Sequence, residues 1–278
     1  MNLSLALLSF TGFFYLAAFI NHISSFWNDR KEGHRPASAL LKIGFLVQTF
    51  YFTAEAVHGG LFLPVGNFSQ AMAFFAWSLA FVYLVLLSQI QSESFGLILT
   101  PILLFFIGSA AMGAVRGAAL ETLSTGAGSN PYFPLHIVSA FFAYASFAIS
   151  FAAGILYLVQ HHELKAKHAG KFYHRLPPLE ELEHLIYQPI LWGAPLLLVA
   201  VGIGFIWSKS AYGKFWLTEP KTIATIVTAL VYLIVLYLRY VASRRGKQPV
   251  VLSLVAFILV LFSFVGMRFV QGSHYFLH

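Results

Sequence analysis

The run Ile190-Leu-Trp-Gly-Ala-Pro-Leu-Leu-Leu-Val-Ala-Val-Gly-Ile-Gly-Phe-Ile-Trp207 contains no charged residue, and the apolar stretch around it extends from His184 to Ser208. A helix rises about 1.5 Å per residue, so about 20 residues cross the ~30 Å hydrocarbon core of a bilayer. This stretch is therefore expected to span a membrane as a helix. Similar runs lie at about 3–26, 40–62, 69–91, 95–115, 135–160, 219–242 and 249–272. The expected fold is all-α: a polytopic membrane protein of about eight transmembrane helices, with 1–278 forming one integral membrane domain. Pro101, Pro189 and Pro195 fall inside spans, where neighbouring helices can satisfy the freed carbonyls, and they predict kinks. Gly108, Ala110, Ala111 and Gly113 offer close approach between helices.

Composition agrees. The chain is 59% hydrophobic and 10% charged, with a mean hydropathy of +0.76. Soluble domains run at about 45–50% apolar and about 25% charged. A soluble enzyme, a disordered chain, a collagen and a disulfide scaffold are all excluded on these grounds. With no cysteine, the chain has no thiolate metal site, CxxC redox pair, iron–sulfur cluster or covalent c-type haem attachment of its own. Metal or cofactor chemistry must use His, Tyr, Met, carboxylates or backbone, and there are 11 histidines.

The net charge of +7 is unevenly placed. Arg30, Lys31, Arg35, Lys42, Lys165, Lys167, Lys171, Arg175, Arg239, Arg244, Arg245 and Lys247 gather around alternate loops. The other side carries only Arg116, Lys209, Lys214, Lys221 and Arg268. The positive-inside rule then puts both termini outside, and no nucleic-acid partner is needed to explain the charge. The first span lacks a basic leading segment and a small-residue cleavage site, so it is expected to stay as a helix. The segment Leu164–Leu182 is the longest expected cytoplasmic loop, either an anchor to anionic lipid or a docking site for a soluble partner.

This topology sorts the histidines. His58, His136, His274 and His278 fall toward the outer face. His22, His161, His162 and His184 fall near cytoplasmic helix ends, and His34, His168 and His174 in cytoplasmic loops. Ionisable groups at membrane level are functional candidates when they are partnered. His58, His136 and His274 share one level on three helices, and two facing imidazoles suit a low-spin haem. The outer segment Trp207–Lys221 holds Tyr212, Phe215, Trp216 and three lysines. It reads either as an interfacial aromatic belt with snorkelling lysines or as a lid over a flat cofactor. Arg268 needs an anion: a haem propionate, Glu55 or a lipid phosphate.

Several of these motifs resemble the cytochrome c assembly family, which includes the CcsA, CcmC and CcmF haem-handling proteins and a HemX-like branch. Pro178-Leu-Glu-Glu-Leu-Glu-His-Leu-Ile-Tyr187, Gly193-Ala-Pro-Leu-Leu197 and Gly202-Ile-Gly-Phe-Ile-Trp207 are similar to its core. Gly213, Trp216, Pro220 and Lys221 fall where the family's tryptophan-rich WWD segment has Gly, Trp, Pro and Lys. His136, within Pro134-Leu-His-Ile-Val-Ser-Ala-Phe-Phe-Ala-Tyr144, resembles the histidine before that segment, and His274, within Gln271-Gly-Ser-His-Tyr275, the one after it. Gln48, Pro64 and Trp77 also stand in family-like places.

The resemblance implies a non-covalent haem b near the outer face, with His136 and His274 on the iron. Trp216, Tyr212 and Phe215 would lie against the ring, Arg268 and Arg116 would face the propionates, and His58 stands as an alternative ligand. Thr218-Glu219 replaces the motif's Trp-Asp, which makes the HemX-like branch the closer match. Tyr237 stands where CcsA has a histidine for a second haem. The expected function is haem handling for cytochrome c biogenesis or control of haem biosynthesis, in a bacterial inner membrane. The expected partners are haem, the bilayer, and assembly components or a cytoplasmic haem-biosynthesis enzyme. Bond-making catalysis is not expected of the chain alone. The competing expectations are a membrane electron carrier with a second, cytoplasmic haem, and a cofactor-free transporter or scaffold.

Overall fold

The computed structural model describes residues 3–28, 34–59, 63–87, 89, 95–115, 130, 132–166, 176–213, 215, 219–244 and 246–262. These form helices α1 (Leu3–Asn28), α2 (His34–Gly59), α3 (Phe68–Leu87), α4 (Gly96–Val115), α5 (Tyr132–Ala166), α6 (Leu179–Tyr212), α7 (Pro220–Leu236) and α8 (Lys247–Leu261). A π-helical turn, Tyr237–Val241, follows α7. No strand occurs among the described residues. Helices α1 to α7 are each long and apolar enough to cross a membrane, and α8 is an apolar helix of 15 residues. The protein is a multi-pass membrane protein.

The apolar runs set where the helices are, and local chemistry sets where they stop. Several helices overrun the expected boundaries. α5 continues to Ala166 and α6 begins at Leu179, so both ends of the expected loop Leu164–Leu182 are helical. Glu180 and Glu181 lie in the first turn of α6, where carboxylates favour the positive end of the helix dipole. α6 also runs on through Trp207 to Tyr212, so the first part of the expected outer loop is helix. It ends where Gly213 takes φ +71° and donates its amide to the Lys209 carbonyl at 3.0 Å, an arrangement glycine tolerates without a Cβ clash. Asn130 starts α5: its Oδ1 accepts from the Tyr132 amide at 3.0 Å. Pro101, Pro189 and Pro195 lie within continuous helices. The expected eighth span is described only to residue 262.

Cα packing divides the chain into two compact units, Met1–Ser129 with Gln160–Glu181, and Asn130–Val159 with Leu182–His278. In the first, α1 packs on α2 and α4, and α3 on α2 and α4. Gly44 makes room for Tyr15, since a Cβ there would lie 2.6 Å from the phenol ring. The small residues expected to draw helices together are split. Ala110 is buried and its carbonyl accepts from Ser69 Oγ at 2.6 Å, and Gly113 also faces Ser69, but Gly108 has nothing within 4 Å.

In the second unit, α5 is the shared surface. Gly193 of α6 sits against Ala143, Ser146 and Phe147. Phe147 stacks on Tyr232 of α7 with centroids 3.7 Å apart, and Phe151 stacks on Phe257 of α8. Large apolar side chains such as Phe10, Phe13 and Ile20 on α1, and Ile223, Leu230 and Ile234 on α7, are exposed, as expected of surfaces facing lipid rather than water.

Candidate functional site

In the second unit, His136 occupies the second turn of α5, one turn after Phe133. Its Nδ1 lies 2.8 Å from the carbonyl oxygen of Ala200 on α6. A carbonyl oxygen only accepts, so Nδ1 is the protonated nitrogen and Nε2 keeps its lone pair. The imidazole lies nearly parallel to the Trp207 indole, at 6.2 Å and 16°. Phe133 packs on the same indole at 5.2 Å. Lys221, at the start of α7, is within electrostatic reach of the ring. Asn130 Nδ2 donates to Ser210 Oγ at 3.0 Å, tying the start of α5 to the end of α6. The histidine is thus held at one nitrogen and part-buried, with the other nitrogen left as a donor to a metal or an acceptor for a proton.

Other expected site residues are placed individually. Phe215 is exposed and carries the Lys209 ammonium over its ring at 5.1 Å. His58, in the first unit, closes α2 and is exposed, with Nδ1 2.8 Å from the Ala54 carbonyl. Glu55, one anion considered for Arg268, accepts from Ser4 Oγ and from Gln70 Nε2 at 2.8 Å. Trp216, Arg268, His274 and Arg116 lie outside the described residues, as does the side chain of Tyr212. Among the described residues no group of three or more His, Asp or Glu gathers as a metal centre.

The residues expected on the cytoplasmic side are also placed one by one. His184 is exposed on α6, and Tyr237 is 57% exposed on the π-helical turn. His22 is buried and enclosed by Gly96, where a Cβ would lie 2.3 Å from Nε2, and by the nearby Tyr83 hydroxyl. The second unit also holds an ion pair between the π-helical turn and α6. Arg239 Nη2 lies 2.8 Å from Glu183 Oε2, and its guanidinium covers the Tyr187 ring at 4.6 Å.

Reading the residue types found His136 but missed its seat. Ala200, Gly204 and Trp207 recur at i, i+4 and i+7 and so share one face of α6. That spacing was the available signal. Small and aromatic residues are common in membrane helices, so it pointed to packing rather than to a histidine.

The fold and this histidine define a class: a polytopic helical membrane protein with a part-buried imidazole fixed at one nitrogen. Residues 65–274 match the model of the cytochrome c assembly protein family. The chain belongs to the cytochrome c assembly protein family, in its HemX-like branch. It is 27% identical to Protein HemX of Brevibacillus brevis, over 92% of this chain and 93% of that one. It is 26% identical to Protein HemX of Bacillus subtilis (strain 168), over 95% and 92%. The cytochrome c biogenesis protein CcsA of Guillardia theta is 25% identical over 77% of this chain and 76% of its own length. Among solved structures, the cytochrome c haem lyase CcmF shares the fold with a TM-score of 0.67 at 16% identity. That likeness covers 92% of this chain and 46% of the solved one.

Proposed function

We propose that this chain binds haem non-covalently near the outer membrane face, and stores it or passes it on in cytochrome c biogenesis or the control of haem supply. His136 and His274 would hold the iron, with His58 as the alternative to either. Trp216, Tyr212 and Phe215 would cover the macrocycle, and Arg268 would take a propionate, with Arg116 as a second cation. The membrane is the bacterial cytoplasmic membrane, as the Bacillus and Brevibacillus relatives suggest.

One observation carries this reading: the Ala200 carbonyl holds the Nδ1 proton of His136, which leaves Nε2 as a neutral, oriented donor. Histidines that ligate metals generally donate their other N–H to a carbonyl or carboxylate in this way. Family membership and the names of the relatives, CcsA and the haem lyase CcmF, support the same conclusion. The iron would supply the chromophore and the affinity for imidazole. The protein's own residues fix the tautomer, cover the ring and neutralise its carboxylates. The electron-carrier alternative needs iron on both sides of the bilayer, and a haem-to-protein ratio of two would favour it.

The test is the absorption spectrum of protein purified after expression with haem supplied, oxidised and dithionite-reduced. Sharp reduced α and β bands are expected, altered or lost in both His136→Ala and His274→Ala. A bare protein spectrum from the wild type would overturn the proposal.

A further inference from the structure

His136 lies against a position on α6 where no side chain intervenes. A Cβ on Gly204 would stand 3.0 Å from both Nδ1 and Cε1 of the imidazole, where ordinary contacts run at 3.4–4 Å. The affected edge of the ring is the one that bonds Ala200 at 2.8 Å. A regular helix directs the Gly204 amide at this same Ala200 carbonyl, whose second lone pair remains for the imidazole. Gly202, two residues earlier on the same helix, has nothing within 4 Å of a Cβ. The two glycines therefore differ in purpose although they share a helix and a sequence motif.

We propose that Gly204 is a positioning residue for His136: its missing side chain lets the imidazole close on the Ala200 carbonyl, which fixes the proton on Nδ1 and the lone pair on Nε2. A methyl at 204 moves the ring by a few tenths of an ångström, lengthens the bond to Ala200 and releases the tautomer. The tautomer itself belongs to the haem-free protein. Its value to an iron ligand rests on the function proposed above.

The experiment uses the full-length, haem-free protein in detergent at alkaline pH, with ¹⁵N-labelled histidine. The His136 signals are assigned by their loss in His136→Ala. The wild type and Gly202→Ala are expected to show one protonated and one unprotonated ring nitrogen at His136. In Gly204→Ala the two resonances are expected to move toward each other as the tautomers mix. Averaged nitrogens in the wild type would overturn the proposal, and that measurement needs no variant at position 204 to fold. An unchanged pair of resonances in Gly204→Ala would overturn it equally.

A second readout uses haem-loaded protein. The Nδ1–H···O=C bond makes the imidazole a stronger donor and favours ferric iron. The midpoint potential should therefore rise in Gly204→Ala and stay put in Gly202→Ala; no rise, or an equal rise in both, would overturn the proposal. A fixed Nδ1 proton in a protein that takes up no haem would keep this inference and sink the haem function. Haem uptake with a mixed His136 tautomer would do the reverse.

Discussion

Gln48 and His136 are both polar side chains inside membrane-spanning helices, and their surroundings treat them in opposite ways. Gln48 is fully buried, and both ends of its amide are used. Its Oε1 accepts from Tyr15 Oη at 2.8 Å, and its Nε2 donates to the Ala73 carbonyl at 2.8 Å. One side chain on α2 thereby joins α1 to α3. Beside it, Trp77 donates to Thr49 Oγ1 at 2.9 Å and lies among Phe45, Phe52, Phe74 and Phe81. His136 is held at Nδ1, and its Nε2 remains a donor. The difference separates a group that closes a structure from one that, under the function proposed, is kept for a ligand.

The sharpest way to break this contrast is at His136 itself. His136→Ala is expected to lower the haem-to-protein ratio by an order of magnitude or more on loading, while the haem-free protein melts close to the wild type. A variant that melts much lower and still loads haem would reverse the roles assigned to the two residues.

The next effect in size falls on Gln48. Gln48→Leu leaves the buried Tyr15 hydroxyl without its acceptor, at about 1–3 kcal/mol. Thermal melting in detergent should drop accordingly, with the haem-to-protein ratio unchanged. Tyr15→Phe removes the donor instead and should cost about 1 kcal/mol, since the Gln48 amide keeps its bond to Ala73. Smallest is Thr49→Val, which takes the acceptor from Trp77. Hydrogen bonds between membrane helices average about 0.6 kcal/mol, so the melt should shift only slightly. Indole fluorescence compared between Thr49→Val and the wild type should shift as the N–H loses its partner. An order in which Thr49→Val costs more than Gln48→Leu would show that the aromatic stack, not the amide, closes the first unit.

These particulars also show what could be read without coordinates. The apolar runs located the eight helices found among the described residues, seven of them long and apolar enough to cross a membrane, because lipid exposure demands a long uncharged segment whatever the neighbours are. Helix ends were less legible. Lys165, Glu180 and Glu181 are good helix formers, so charge marks where hydrocarbon ends and not where the helix does. His136 was legible because imidazole is rare at membrane level and has its own chemistry. Its seat was not, since Ala200 contributes only a backbone oxygen and Gly204 only an absence. Gln48 stood out by resemblance, but its partners Tyr15 and Ala73 lie on other helices and no spacing within α2 announces them. Trp216, Arg268 and His274, on which the lid and the second ligand depend, fall outside the described residues.

The bond between His136 and Ala200 joins positions 64 residues apart. Chains lengthen by about 5–20 residues per second during synthesis, so the histidine is made about 3–13 s before its acceptor exists. Through that interval α5 is inserted with an imidazole whose proton can sit on either nitrogen. The bond therefore forms only after α6 has joined the bilayer, and a nascent chain stalled between the two helices carries the histidine without the carbonyl that orients it. Under the function proposed, cofactor capture by this histidine would on that account be a late event in the life of the polypeptide, timed by the arrival of a backbone oxygen.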